Sequence, residues 1–226
     1  AAIAIWATFS LTIRIFTTLK RRYGLYFWAL LVASWGISVR SIGILTIYLT
    51  PNCPWAIRRM LVETGWVAMT SGFSVVLYSR LSIVLHNHKT RRAVLAMIIT
   101  NAVIWHPIII TTNAGLPAWQ RVHDPVEKTQ IVIFMVQEMV ISFFYVRAAY
   151  RYLHSGFAKK DKAQNAMRLL TVVQIVVIAV DLVLIVIDLS GWTKLKTFIH
   201  SVVYTVKMEL EFITLNQLVG LSKLGM

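Results

Sequence analysis

The stretch VVQIVVIAVDLVLIVIDL, residues 172–189, has fifteen apolar residues among its eighteen. A run of that length suits a helix crossing the roughly 30 Å hydrocarbon layer of a bilayer. Three polar residues interrupt it, Gln174, Asp181 and Asp188, at intervals of seven. Seven residues are close to two α-helical turns, so the three share one face, about 10 Å apart along the axis. A charge facing lipid at the midplane costs about 3 kcal/mol on insertion scales. The stripe must therefore turn towards other helices.

Apolar segments of this kind recur at approximately 1–18, 25–49, 60–85, 92–113, 126–150, 166–189 and 196–220. The connections carry turn and breaker residues: PNCPW at 51–55, NAGLPAW at 113–119 and HSGFAKKDK at 154–162. The pattern predicts an all-α polytopic membrane protein, a single seven-transmembrane-helix bundle over residues 1–226 with no separate soluble domain. Composition agrees, since only 14% of residues are charged, against about a quarter in soluble domains. The one cysteine, Cys53, excludes an intrachain disulfide. No signal peptide is evident, and a chain starting with Ala is expected to have residues upstream.

A net charge of +14 would suggest nucleic acid as the partner of a soluble protein. Here the basic residues sit in short connections, where they meet anionic headgroups, so membrane lipids are the expected partners and nucleic acid is not. Lys20, Arg21 and Arg22, then Lys89, Arg91 and Arg92, then Arg151, Lys159, Lys160, Lys162 and Arg168 fall on one side. The other connections hold Arg58 and Arg59, Arg121, and Lys194 and Lys196. The richer set is expected in the cytoplasm, which puts the N-terminus outside or lumenal and the C-terminus cytoplasmic, with the endoplasmic reticulum as the expected compartment.

Buried polar residues are more numerous than helix packing requires. Arg40 lies in segment two, Glu63 in three, Asn101 and His106 in four, Gln137 and Glu138 in five. In segment seven, His200, Tyr204, Lys207 and Glu211 share a face, while Glu209 points elsewhere. With alternating helix directions these groups are expected to converge on one cavity in the mid to outer bundle, with Asp188 and Glu63 near its mouth and Lys207 and Glu211 at its floor. Simpler readings stand beside this one. Lys207 and Glu211 can neutralise each other at i, i+4, and Arg40 can pair with a carboxylate. Gln174 and Asn101 suit interhelical hydrogen bonds. His106 can fill the kink at Pro107. Arg58, Arg59 and Arg80 are expected to mark membrane boundaries.

Aromatic residues make up 12% of the chain. Trp28, Trp55, Trp119 and Trp192 are expected at interfaces. Trp35, Trp66, Phe73, Tyr78, Trp105, Phe143, Phe144 and Tyr204 fall deeper, where rings can pack or shelter a cation.

Several chemistries find no support. There is no HExxH, CxxC, Walker or Rossmann glycine loop, GxSxG, or DDxxD-like cluster for magnesium and diphosphate, so neither metal nor cofactor is expected. HNH at 86–88 reads as a headgroup-facing loop triplet.

At YGLYFWALLVAS (23–34), GFSVVLYSRL (72–81), VEKTQIVIFMVQEMVIS (126–142), VDLVLIVID (180–188) and VYTVKMELEF (203–212), the chain resembles a family of fungal integral membrane proteins catalogued as a domain of unknown function. It is also similar to the membrane-bound terpene cyclases of ascofuranone and macrophorin type, which protonate an alkene or epoxide of a prenylated aromatic. The resemblance implies that Glu138, Asp181, Asp188, Lys207 and Glu211 occupy recurring polar positions. The chain departs at Phe73, where Gln is common, and at Ser10, where Glu is.

These features lead to the expectation of a metal-independent meroterpenoid cyclase acting on a lipophilic prenylated small molecule. A carboxylic acid secluded among apolar groups can remain protonated and act as general acid. Asp181, central on its stripe, is the first candidate, followed by Glu63, Glu138 and Glu211. Arg40, Trp66, Phe73, Trp105, His106, Asp188, His200, Tyr204 and Lys207 are the expected substrate-binding residues. A seven-helix receptor or sensor for a small lipophilic ligand is the alternative from another class, and a proton-linked transporter is a third.

Overall fold

The computed structural model describes residues 2–18, 24–50, 52–85, 87–112, 117–154, 161–190 and 193–222. Among the basic and interfacial residues named above, Lys20, Arg21, Arg22, Lys159, Lys160 and Trp192 lie outside the described residues. So do the side chains of Trp119, Arg121, Lys162, Lys194 and Lys196.

Seven α-helices follow one another: α1 (Ala2–Thr18), α2 (Leu25–Leu49), α3 (Trp55–Val84), α4 (His88–Thr112), α5 (Pro117–His154), α6 (Asp161–Leu189) and α7 (Thr193–Ser222). Five of them, α2 to α6, contain stretches long and apolar enough to cross a bilayer. The protein is thus an integral membrane helical bundle. Several helices overrun the apolar segments that announce them, most of all α5, whose 38 residues reach about 57 Å. Hydropathy marks the lipid-immersed part, whereas backbone hydrogen bonding continues into the interface. Pro117 opens α5, where a missing N–H costs nothing. Asn87 starts α4: its side-chain oxygen accepts from the Lys89 N–H at 3.0 Å, and its carbonyl from the Arg91 N–H at 3.1 Å. The HNH triplet is in part a helix cap; His86 lies outside the described residues.

Polarity is turned inside out relative to a soluble domain. Val103, Val183 and Val186 are exposed, while Arg80, Gln137, Glu138, Gln174, Asp181, Lys207 and Glu211 are buried. Trp28 and Trp55 are exposed, as interfacial rings should be, but so are Trp35 and Phe143. Depth along a helix does not fix which way a ring points.

Helix α3 touches α2, α4, α5 and α7, and α7 touches α1, α2, α3 and α6, so these two run through the middle of the bundle. The closest approach is between α2 and α3, at Gly36 and Gly43 on one and Gly65 and Gly72 on the other. A Cβ on Gly36 would lie 2.7 Å from the Met69 nitrogen, one on Gly65 2.7 Å from the Arg40 Cα, and one on Gly72 2.7 Å from the Ala33 Cβ. Within a membrane, where apolar burial gives helices no net reason to associate, such backbone contact is a main source of attraction. It also places Arg40 directly opposite Gly65.

Candidate functional site

The three polar residues spaced by seven on α6 meet polar residues of α7 in antiparallel register, directly at two rungs and through Arg80 of α3 at the third. Near the end bearing the α2–α3, α4–α5 and α6–α7 connections, the His200 Nε2 lies 3.1 Å from both oxygens of Asp188. Two turns further, the Lys207 ammonium donates to Asp181 at 2.6 Å and to Glu138 of α5 at 2.5 Å. The Tyr204 hydroxyl donates to the other oxygen of Glu138 at 3.2 Å. The rings of Phe73 and Tyr204 flank the same ammonium at 4.4 and 4.5 Å. Two turns further again, Gln174 accepts from Arg80 of α3 and donates to Ser142 of α5. Arg80 also donates to Thr214 at 2.7 Å, pairs with Glu211, and stacks its guanidinium 4.4 Å from the Tyr145 ring.

These contacts redistribute the expected roles. Asp181, read as a free acid at the centre of a cavity, is 1% exposed and bonded to a lysine. It is not among the residues that line the polar cavity where α2 stops and α3 and α5 begin. Glu138 shares that lysine, and Glu211 is matched by Arg80. Lys207 and Glu211 thus take partners on other helices instead of neutralising each other. Arg80 is no boundary residue but one of the largest fully buried side chains of the bundle. Gln174 and Asn101 behave as interhelical partners, the latter donating to Gln137 at 2.7 Å. His106 bonds the Ser71 hydroxyl at 2.6 Å and stacks on Phe134 beside the Pro107 kink. Trp105 is half-buried on α4 and does not line that cavity. Glu209 points away from the ladder to Arg14, 3.0 Å distant.

What remains of the expected convergence is a cavity of about 180 Å³ at the end where α2 stops and α3 and α5 begin. Arg40, Glu63 and Trp66 line it, joined by Tyr48, Arg59, His123, Glu127 and Gln130. The Arg40 guanidinium lies 4.2 Å above the Trp66 ring. Arg40 and Gln130 are 8% and 1% exposed, yet the Arg40 Nε and the Gln130 Nε2 have no hydrogen-bond partner among the described residues. A buried donor left unbonded costs about 1–3 kcal/mol. Below this chamber, Trp66 packs against His200 and Tyr204, with centroids 5.6 and 6.3 Å apart. Ring packing therefore connects the cavity to the first two rungs of the ladder.

Sequence reading assigned Arg80 to a membrane boundary and passed over Gln130, although the signal was present. Trp66, Phe73 and Arg80 on α3, and His123, Gln130 and Gln137 on α5, repeat the interval of seven that exposes the α6 stripe. His123, Asp124 and Glu127 bring three potential ligand atoms within 4.8 Å of one another. Asp124 is exposed, however, and His123 and Glu127 stand one helical turn apart at 4.0 Å, as an ordinary surface pair would.

All 226 residues match one family model, the Domain of unknown function (DUF7703), and the chain belongs to that family. No curated protein and no solved structure matches it.

Proposed function

We propose that this family member is a seven-helix receptor or sensor for a small lipophilic ligand, seated in the cavity between α2, α3 and α5. The observation carrying this reading is the polar chamber itself, lined by Arg40, Glu63 and Gln130 and walled by Trp66, whose ring packs on His200 and Tyr204. Ligand contact with Trp66 then bears on Tyr204, and through its hydroxyl on Glu138 and Lys207. A buried ion pair has few equally good alternative geometries, which suits it to a two-state element biased from a distance. By the distribution of Lys and Arg, the cavity opens towards the lumenal or outer side.

The test starts from a panel of lipophilic molecules screened for ligands that raise the unfolding temperature of the purified protein. In a Cys53→Ser, Arg151→Cys protein carrying a fluorophore, a stabilising ligand changes emission at the far end of α5. A ligand that stabilises the protein without any such change refutes signal transmission.

A second reading keeps the acid-initiated cyclase but moves the proton donor from Asp181 to Glu63. It is favoured by one observation: Glu63 lines both the polar cavity and an apolar groove beside it. Product analysis with a farnesylated aromatic and its epoxide decides between the two. The cyclase reading expects a cyclic product that Glu63→Gln abolishes, and the receptor reading expects none.

A further inference from the structure

A second cavity, of about 270 Å³, lies at the opposite end of the bundle, where α3 stops and α4 begins beside the last turns of α5. Arg147 and Arg151 of α5, one helical turn apart, line one part of it. Asn87 and Thr90, from the start of α4, line another, and Leu85 and Phe144 supply apolar wall. No acid lines this space. Of the nine acidic residues in the chain, Glu138, Asp181, Asp188 and Glu211 belong to the ladder, Glu209 pairs with Arg14, and Glu63, Asp124 and Glu127 lie at the other end. The side chain of the ninth, Asp161, lies outside the described residues. Unlike Arg80 and Lys207, then, Arg147 and Arg151 meet no described carboxylate, and a counter-ion must come from outside the chain.

We propose that this cavity is a binding site for the head of an anionic membrane phospholipid, a phosphomonoester held by Arg147 and Arg151. Depth points to a lipid as the source of the phosphate. The membrane-crossing stretches of α3 and α5 end at Ser82 and Arg151, and that of α4 begins at His88. The cavity therefore lies at the level of the headgroups, with the half-buried Phe144 on its wall. Charge points to the monoester. Two guanidiniums present forks of donors that match phosphate oxygens, and a monoester carries close to two negative charges near neutral pH, whereas a diester leaves one guanidinium unmatched. The first turn of α4 opposes nothing here, since it holds no acid and brings the partial positive charge of a helix start. Basic pockets between membrane helices at headgroup level take anionic lipid heads by the same physics. The site stands apart from the polar cavity at the other end and does not depend on the receptor reading.

The experiment titrates the full chain in detergent micelles with dioleoyl phosphatidic acid, with phosphatidylserine and phosphatidylcholine of the same chains, and with glycerol 3-phosphate as a head without a tail. Bound molecules are counted by native mass spectrometry. Phosphatidic acid should bind as one tight adduct, about tenfold or more tighter than each of the others. Arg147→Gln and Arg151→Gln should each weaken it about tenfold, the ratio that one charge-assisted hydrogen bond supplies. Arg147→Lys keeps the charge without the fork and should recover only part of the loss. Arg92→Gln removes a charge from the same end of the bundle but outside the cavity wall, and should change the affinity less than about twofold. Arg147 and Arg151 are exposed, so these variants keep the fold, which their unfolding temperatures without lipid check.

A loss in Arg92→Gln equal to that in Arg147→Gln or Arg151→Gln means diffuse attraction to a basic surface and overturns the proposal. Phosphatidylserine binding as tightly as phosphatidic acid removes the monoester, and glycerol 3-phosphate doing so makes the occupant a soluble phosphate; either result also overturns it. The comparison of the four probes needs only the unmodified protein, so it decides the matter whatever the variants do.

Discussion

Asp181 and Lys207 face each other across α6 and α7 at 2.6 Å, each 1% exposed, with the carboxylate of Glu138 on the same ammonium. Two acids and one base therefore occupy one buried site. Removing the base leaves two carboxylates with no cation in direct contact, and breaking a buried pair typically costs about 3–5 kcal/mol. Lys207→Met should lower the unfolding free energy by that amount. The triple variant Lys207→Met, Asp181→Asn, Glu138→Gln, which removes every charge at once, should recover most of the loss. Denaturant unfolding in detergent micelles measures both; a triple variant no more stable than Lys207→Met refutes the charge-matching account.

Arg80 holds the far rung through three different kinds of contact: an ion pair with Glu211, hydrogen bonds to Gln174 and Thr214, and stacking on Tyr145. A lysine keeps the charge but offers neither the planar face nor the fork of donors. Arg80→Lys should lose about 2 kcal/mol and Arg80→Leu more, since it strands the Glu211 carboxylate. Unfolding of both variants tests this ordering. Equal stability of Arg80→Lys and wild type would show that charge alone matters at this position.

Glycine at 65 admits the α2 backbone beside Arg40. An alanine there would put its Cβ 2.7 Å from the Arg40 Cα, so α2 must move away from α3. Overpacking of this kind costs about 1–3 kcal/mol, and here it should also shift the Arg40 guanidinium over Trp66. Gly65→Ala should therefore lower stability and alter tryptophan emission together. Gly24, beside which an added Cβ meets nothing within 4 Å, is the control. Gly24→Ala, at the N-cap of α2, should leave tryptophan emission unchanged and cost less stability than Gly65→Ala, and an equal change in emission at both sites would contradict the packing argument.

A buried donor without a hydrogen bond, such as the Gln130 Nε2, costs stability. Gln130→Leu should accordingly stabilise the ligand-free protein by about 1 kcal/mol while weakening ligand binding. Thermal unfolding without ligand is the measurement, and a destabilised Gln130→Leu protein would place a structural partner on that amide.

The seven-helix architecture was legible in the chain because hydrophobic runs and charged connections are properties of single segments. Contacts between segments were legible only in part. The period of seven on α6 and the face shared by His200, Tyr204, Lys207 and Glu211 were each visible, but their rung-by-rung register depends on how two helices align, which neither stripe encodes alone. Arg80 shows the limit most plainly. It lies in the last two turns of α3, where a cation ordinarily reaches the headgroups, and only the three-dimensional placement of Glu211, Gln174 and Tyr145 turns it inward. Gln130 was hidden differently, because an amide gives no hydropathy signal strong enough to separate a cavity wall from an interhelical bond. The cavity was foreseen at Arg40, Glu63 and Trp66 but not its confinement to one end, since acids were counted without knowing which bases would reach them.

The glycine contact between α2 and α3 also divides labour within the bundle. Helices that meet backbone to backbone have no flexible side chains between them to slide or re-pack, so this hairpin behaves as a stator. Helices α4, α5 and α6 meet their neighbours through longer side chains and interlocking polar groups, which can exchange partners. Any rearrangement that accompanies occupancy must then be carried by that second group together with α7, swinging against a fixed backbone wall from which the Arg40 and Trp66 side chains project.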